Sequence, residues 1–347
     1  MLISGLTFLS RLDGPFIILW CWQLFGSPAK NNNLFISSFN MRQFLKSTFL
    51  FLLPILVLGI LAEFLLRHIP NDYELKSNYL KVHTSEIAVL FLGSSHAFYG
   101  INPAVVKEKS FNAAYVSQSL DLDDDILEKY DTNWKSLKFI VVPISYFSLY
   151  SSLRHNDESW RLKNYAIYCG IEATDDVFSH FEIFGQFEQN MDKLYLYYIK
   201  KNSLLTSSYL GWGEHKTMMD KVAFLNSGTI AAKRHTGINE EYFAKNKVVL
   251  ERIISFAKQR NIKVLFYTPP AYKTYFEHLD VKQLNQTVHL MADLAAHYKN
   301  VTYVNLLKDN SFDISDFHDA DHLNKLGAKK LSVMLDGVIQ QINLQNK

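Results

Sequence analysis

The chain has 347 residues, nearly half of them apolar, with 25 Phe and 19 Tyr. Such a length and composition suit one large α/β domain plus an anchor, or two modest domains, and exclude a disordered chain. The formal net charge of +2, with no basic run interleaved with aromatics, argues against nucleic acid as a partner.

Residues 15–26 form an apolar run too short to span a bilayer comfortably, and the breaker Asn31-Asn32-Asn33 follows it. Met41-Arg42-Gln43-Phe44-Leu45-Lys46 has the form of a start for an anchored bacterial protein, so residues 1–40 are read as an over-extended start within an N-terminal segment 1–48. Residues 49–66, FLFLLPILVLGILAEFLL, carry one charge, Glu63, and approach the ~20 apolar residues that cross a bilayer core. We read them as an uncleaved transmembrane anchor, against the alternatives of a buried core helix or a cleaved signal peptide. The flanking charges are compatible with a single pass through the bacterial inner (cytoplasmic) membrane and a C-terminal domain outside, in the periplasm. On that topology Cys21 and Cys169 lie on opposite sides and do not pair.

After a polar connector, 67–84, a domain over 85–342 alternates strands and helices. Ile87–Leu92 is a continuous apolar run, as in a strand buried on both faces of a parallel sheet. Ser110–Ala114 is a short strand-like piece, and Asp121–Tyr130 is helical, with its acidic run at the positive end of the helix dipole. Lys138–Ile144 is a further buried strand. Residues 150–230 lack a clear rhythm and are read as a mostly helical insertion over the active edge. Glu240–Arg260 is a helix, Ile262–Tyr267 a strand, Val281–Tyr298 a helix, Val301–Asn305 a strand, and Lys325 to Ile339 the last helix. The order implies a three-layer α/β fold, flavodoxin-like, with helices on both faces of a parallel sheet. Ligands bind such sheets beyond the carboxyl ends of the strands.

Two motifs fall on that edge. Leu90-Phe91-Leu92-Gly93-Ser94-Ser95-His96 runs a strand into a tight turn, and Asp319-Ala320-Asp321-His322-Leu323-Asn324 precedes the last helix. Ser95 is the candidate nucleophile, His322 the base that takes its proton, and Asp319 the residue that orients the imidazole; Asp321 is less suited, since consecutive residues point apart. The bland alternative is that these residues cap helices. Gly93 permits the turn. Gly93, Asn112, Ser117 and Gln118 are candidates to build an oxyanion hole or contact substrate. Arg234-His235 binds a carboxylate or sugar hydroxyl, or is a solvated pair. His96 is a second base, a substrate contact or a buried hydrogen-bonded histidine. Phosphate-loop, dinucleotide and His-Glu-x-x-His motifs do not occur, so neither cofactor nor metal is expected.

At Gly93-Ser94-Ser95 and Asp319-x-x-His322 the chain resembles the SGNH/GDSL hydrolase superfamily, with Ser in place of the Asp of Gly-Asp-Ser. The block that usually holds an oxyanion glycine is Asn112–Gln118 here, without the glycine. The Gly-x-Asn-Asp block is not recognisable, although Pro143-Ile144-Ser145-Tyr146 stands near its expected place. The anchor, the Gly-Ser-Ser turn and the late Asp-x-x-His-Leu-Asn followed by Gly327-Ala328 resemble a membrane-anchored subgroup that includes the teichoic acid D-alanyl transfer and alginate O-acetylation proteins. This resemblance implies acyl transfer outside the membrane, most simply O-acetylation of an exported polysaccharide, with a multi-spanning acyltransferase as partner. The alternatives are an esterase that removes such groups and a non-catalytic scaffold or carbohydrate-binding component of an export complex.

Overall fold

A computed structural model describes residues 41–215, 218–237 and 239–345. The reading of residues 1–40, and Cys21 with it, lies outside them. The chain divides into two compact units between Val57 and Leu58. Helix α1 (Met41–Arg67) crosses that boundary; it is long and apolar enough to span a membrane, and nearly all its apolar side chains are exposed. Pro54 lies within it, as membrane helices tolerate.

The second unit is built on a five-stranded parallel sheet, β1 (Val89–Phe91), β2 (Ser110–Asn112), β3 (Phe139–Pro143), β4 (Lys263–Thr268) and β5 (Val301–Asn305), in the order β2-β1-β3-β4-β5. Phe91 is in register with both Asn112 and Val141. β1 is shorter than the apolar run that contains it, but bonding continues past its ends, from Ala88 N–H to Lys109 and from Leu92 N–H to Val141. The period of two along each strand separates two cores. Leu90, Ile140, Val142, Val264 and Phe266 pack with α2 (Asp72–His83), α3 (Leu120–Lys129), α4 (Glu240–Gln259) and α5 (Val281–His297). Val89, Phe91, Phe139, Val141, Leu265 and Tyr267 pack on the other face, with α6 (Ser95–Gly100) and α7 (Lys325–Gln345). The last helix continues past the expected Ile339 to Gln345 because Leu331, Leu335 and Ile339 set a stripe that Ile342 extends.

Among residues 150–230, short 3₁₀ and π turns and irregular chain alternate with α-helix at Leu162–Asn164, Phe187–Leu194 and from Lys221 onward. The acidic run at the start of α3 clamps this region. Asp121 and Asp125 hold the Arg154 guanidinium at 2.7 and 2.6 Å, and Asp124 pairs with Arg252 at 2.7 Å.

The turn after β1 is closely packed. Gly93 has φ +111°, and a Cβ there would sit 2.5 Å from the Pro143 ring. Its N–H donates to Asp123 Oδ1 at 2.8 Å. Burial pushes the Asp123 carboxyl well up, against the hydrogen bonds from Gln118 and Gly93. Gly93→Ala should therefore combine backbone strain with overpacking and cost roughly 2–4 kcal/mol. A denaturant midpoint unchanged from wild type would contradict this.

Candidate active site

β1, β2, β3 and β5 all deliver their carboxyl-end loops to one edge. The strand order changes direction at β1 and β3, which is where a crevice opens in such sheets. Ser95 is the first residue of α6, where a backbone N–H has no partner within the helix. Its Oγ lies 2.9 Å from His322 Nε2. On the far side of the ring, Nδ1 lies 3.1 Å from both oxygens of Asp319. Asp319 Oδ1 also accepts the N–H groups of Asp321 at 2.8 Å and His322 at 2.7 Å, so the carboxylate is fixed by its own loop. Burial works to raise Asp319, but the hydrogen bond and charge of His322 hold it below its ordinary value. Burial works to lower His322, but the Asp319 hydrogen bond and the charges of Asp321 and Asp319 raise it.

Behind this line lies a second polar chain. His96 is buried, with Nδ1 2.5 Å from Ser145 Oγ and Nε2 3.0 Å from Asp321 Oδ1. Of the three readings for His96, the geometry matches the buried hydrogen-bonded one. Asp321 Oδ2 lies 3.7 Å from His235 Nδ1 and 4.0 Å from His322 Nδ1. Burial opposes ionisation of Asp321, but His96 and His235 hold its carboxyl far below the usual range. His235 Nδ1 also lies 2.9 Å from Tyr275 OH, and burial lowers this imidazole to about 4. Among the described residues, His96, Asp321 and His322 offer ligand atoms within 4.8 Å of one another. His96 and Asp321 already bond each other there, and His322 is held between Ser95 and Asp319.

A cavity of about 590 Å³ opens over Ser95. Its wall includes Gly93, Ser117, Gln118, Arg234, His235, Asp319 and His322. Asn112 does not reach it. That side chain is fully buried, donating to Ala97 O at 2.8 Å and Ile101 O at 2.9 Å, so its place as an oxyanion candidate is corrected to a structural tie. Gln118 lines the cavity, but its amide is spent on Asp123 at 2.6 Å and Tyr165 at 2.9 Å. The Gly93 N–H is likewise committed, to Asp123.

Ser117 is different. Its φ of +64° is the left-handed conformation that glycine adopts readily, so Ser117 holds a glycine-like turn. Its hydroxyl donates to Glu158. Ser117→Gly should keep the stability near wild type, and Ser117→Val, β-branched in the left-handed region, should cost about 1–2 kcal/mol. Denaturation midpoints of the two variants check this.

The residue missed in the sequence is Asn156. Asn156-Asp157 lines the cavity in the loop after β3, beyond the Pro143–Tyr146 stretch where an Asn-Asp pair was expected. Asn156 Oδ1 accepts from Glu158 N–H at 2.8 Å, which leaves its amide N–H₂ as a donor. The Asn-Asp dipeptide itself was the available signal. On the opposite wall Tyr99, His215 and His318 stack in a column, with ring centroids 3.8 and 4.0 Å apart. Burial and the neighbouring His318 lower His215 to about 4.

A family described as a protein of unknown function (DUF1574) matches residues 241–330, which include Asp319 and His322 but not Ser95. No curated protein matches the chain. Solved structures that are similar include a "putative platelet activating factor" from Streptococcus pneumonia, at 13% identity and TM-score 0.40, over 77% of this chain and 90% of that one. Another is a "putative acylhydrolase" from Bacteroides fragilis, at 11% identity and TM-score 0.38, over 76% of this chain and 95% of that one. Likenesses at this level name no activity for this chain.

Proposed function

We propose that the protein is a serine acyltransferase with Ser95 as nucleophile, His322 as acid and base, and Asp319 as orienting residue. The observation that carries this reading is the continuous chain from Ser95 Oγ through both nitrogens of His322 to Asp319, opening on a cavity. In the first half-reaction Nε2 takes the hydroxyl proton as Oγ attacks an acyl carbonyl. The tetrahedral oxyanion is met by the Ser95 and Ser117 N–H groups and the Asn156 amide. Collapse returns the proton to the leaving group and leaves an acyl-Ser95 ester. In the second half, His322 Nε2 deprotonates an acceptor hydroxyl as it attacks the acyl-Ser95 carbonyl; the ester bond to Oγ breaks, Nε2 gives the proton to Oγ, and the acyl group, most simply acetyl, stays on the acceptor.

The acceptor we infer is a sugar hydroxyl of an exported polysaccharide. Arg234, Ser117, Asn156 and Glu158 supply polar partners for a polyhydroxylated chain, and Tyr99 with His215 offers an aromatic wall. With α1 as anchor, the site lies on the periplasmic side of the cytoplasmic membrane, beside a multi-spanning protein that supplies the acyl group. Hydrolysis uses the same groups with water as acceptor. The test is turnover of an acetyl ester by the full chain in lipid nanodiscs, with and without added oligosaccharide. Acetylated oligosaccharide supports transfer; free acetate alone, undiminished by acceptor, supports an esterase. Absence of both products, with Ser95 unlabelled by a serine-reactive phosphonate, overturns the enzyme reading.

A further inference from the structure

We propose that residues 177–199 form a collar that seats in the lipid headgroup–acyl boundary around the end of α1. Two of its polar groups face inward: Glu182 is buried and bonded to Lys163 at 2.7 Å and Tyr168 at 2.9 Å, and Asn190 donates to Glu182 O at 2.7 Å, while Gln186, Glu188, Gln189 and Asp192 are exposed. Its large apolar side chains face outward. Phe178, Phe181 and Phe184 form one aromatic cluster, with ring centroids 4.8 and 5.9 Å apart, and all three are exposed. Phe187 is 76% exposed and Ile199 68%. An exposed aromatic cluster of this kind marks an interaction site rather than a solvated face.

Its place decides the partner. Arg67 Nη2 donates to His180 O at 2.5 Å, Ile183 N–H to Glu63 Oε2 at 2.9 Å, and Tyr198 OH to Leu65 O at 2.9 Å. Three separate points of the collar are thus bonded to the last turn of the apolar helix, where Arg67 and His68 end the run. Tyr195, with Lys200 Nζ 5.4 Å from its ring centroid, and Lys201 add the aromatic and basic residues of a membrane interface. The collar is bonded to Glu63, Leu65 and Arg67 beside the exposed Leu61 and Phe64 of the same unit, so lipid is its occupant. The inference rests on α1 lying in a bilayer and is independent of the chemistry at Ser95.

The test uses the full chain with Cys21 and Cys169 replaced by alanine, reconstituted in vesicles of phosphatidylcholine and phosphatidylglycerol. Spin labels are placed one at a time by Leu56→Cys in α1, Phe178→Cys and Phe187→Cys in the collar, and Val248→Cys, an exposed position on α4. Relaxation by oxygen is compared with relaxation by a water-soluble nickel chelate. The expected result is oxygen-dominated relaxation at 56, 178 and 187 and nickel-dominated relaxation at 248. Nickel-dominated relaxation at 178 and 187, with 56 in lipid, overturns the collar alone. Labels at 178 and 187 shielded from both reagents place a protein on the patch and overturn lipid as its occupant. A label at 56 exposed to nickel overturns the anchor, and the collar with it.

Discussion

Ser95→Ala should abolish acyl-ester turnover, lowering kcat on the order of 10⁵–10⁶-fold, while the protein stays folded. In the proposed reaction the hydroxyl is the atom that attacks, and water held in its place has neither the intramolecular geometry nor the activating contact with His322. His322→Ala should cost about as much, and the double variant little more than either, because the two act as one unit. Stability should scarcely move in Ser95→Ala. The hydroxyl's partner, His322 Nε2, faces the cavity, where water can replace the lost bond, so the change should stay within about 1 kcal/mol. The measurement is kcat/KM on an acetyl ester beside the thermal midpoint. Wild-type turnover in Ser95→Ala would place the chemistry elsewhere. Equal loss of turnover and of folding would reduce Ser95 to a helix cap.

Much of the frame was legible because its signals are local. Buried parallel strands read as apolar runs, and each of the expected runs contains or closely matches an observed strand. Ser95 and the Asp319–His322 spacing were legible for the same reason: each motif is short, and the topology sends both to one sheet edge. What escaped depends on long-range packing. Asn156 reaches the cavity in a loop that Arg154 pins to Asp121 and Asp125, a pairing between segments about thirty residues apart. The left-handed turn at Ser117 was not legible because a residue letter does not record φ; the surrounding tertiary structure imposes it. Asn112 looked like a free polar group, yet its amide is consumed by the backbone of α6 and the loop after it. The π turns at Tyr165–Cys169 and Tyr195–Ile199 break the 3.6-residue period that makes a helix readable in sequence.

Two carboxylates lie near His322, and their roles separate by pH. In the proposed reaction Nε2 must be unprotonated, so turnover should fall as pH drops through the His322 value, which lies above the ordinary imidazole value of 6.5. Asp319→Asn keeps one carbonyl oxygen in the loop but loses the charge, and its amide can present N–H to Nδ1 and favour the wrong tautomer. It should lower the plateau of kcat about 10⁴-fold. It should also move the acid limb to lower pH, because Asp319 supplies the hydrogen bond and part of the charge that raise His322. The limb should move only part of the way, since Asp321 still lies 4.0 Å from Nδ1. Asp321→Asn should give the complementary result. It removes charge from the same imidazole, so the limb moves down, but it leaves the 3.1 Å contacts to Asp319 in place, so the plateau falls far less. Full pH profiles of kcat for both variants decide between them. A collapsed plateau in Asp321→Asn with a preserved one in Asp319→Asn would exchange the two roles, and make the His96–Asp321 pair the one that orients the base.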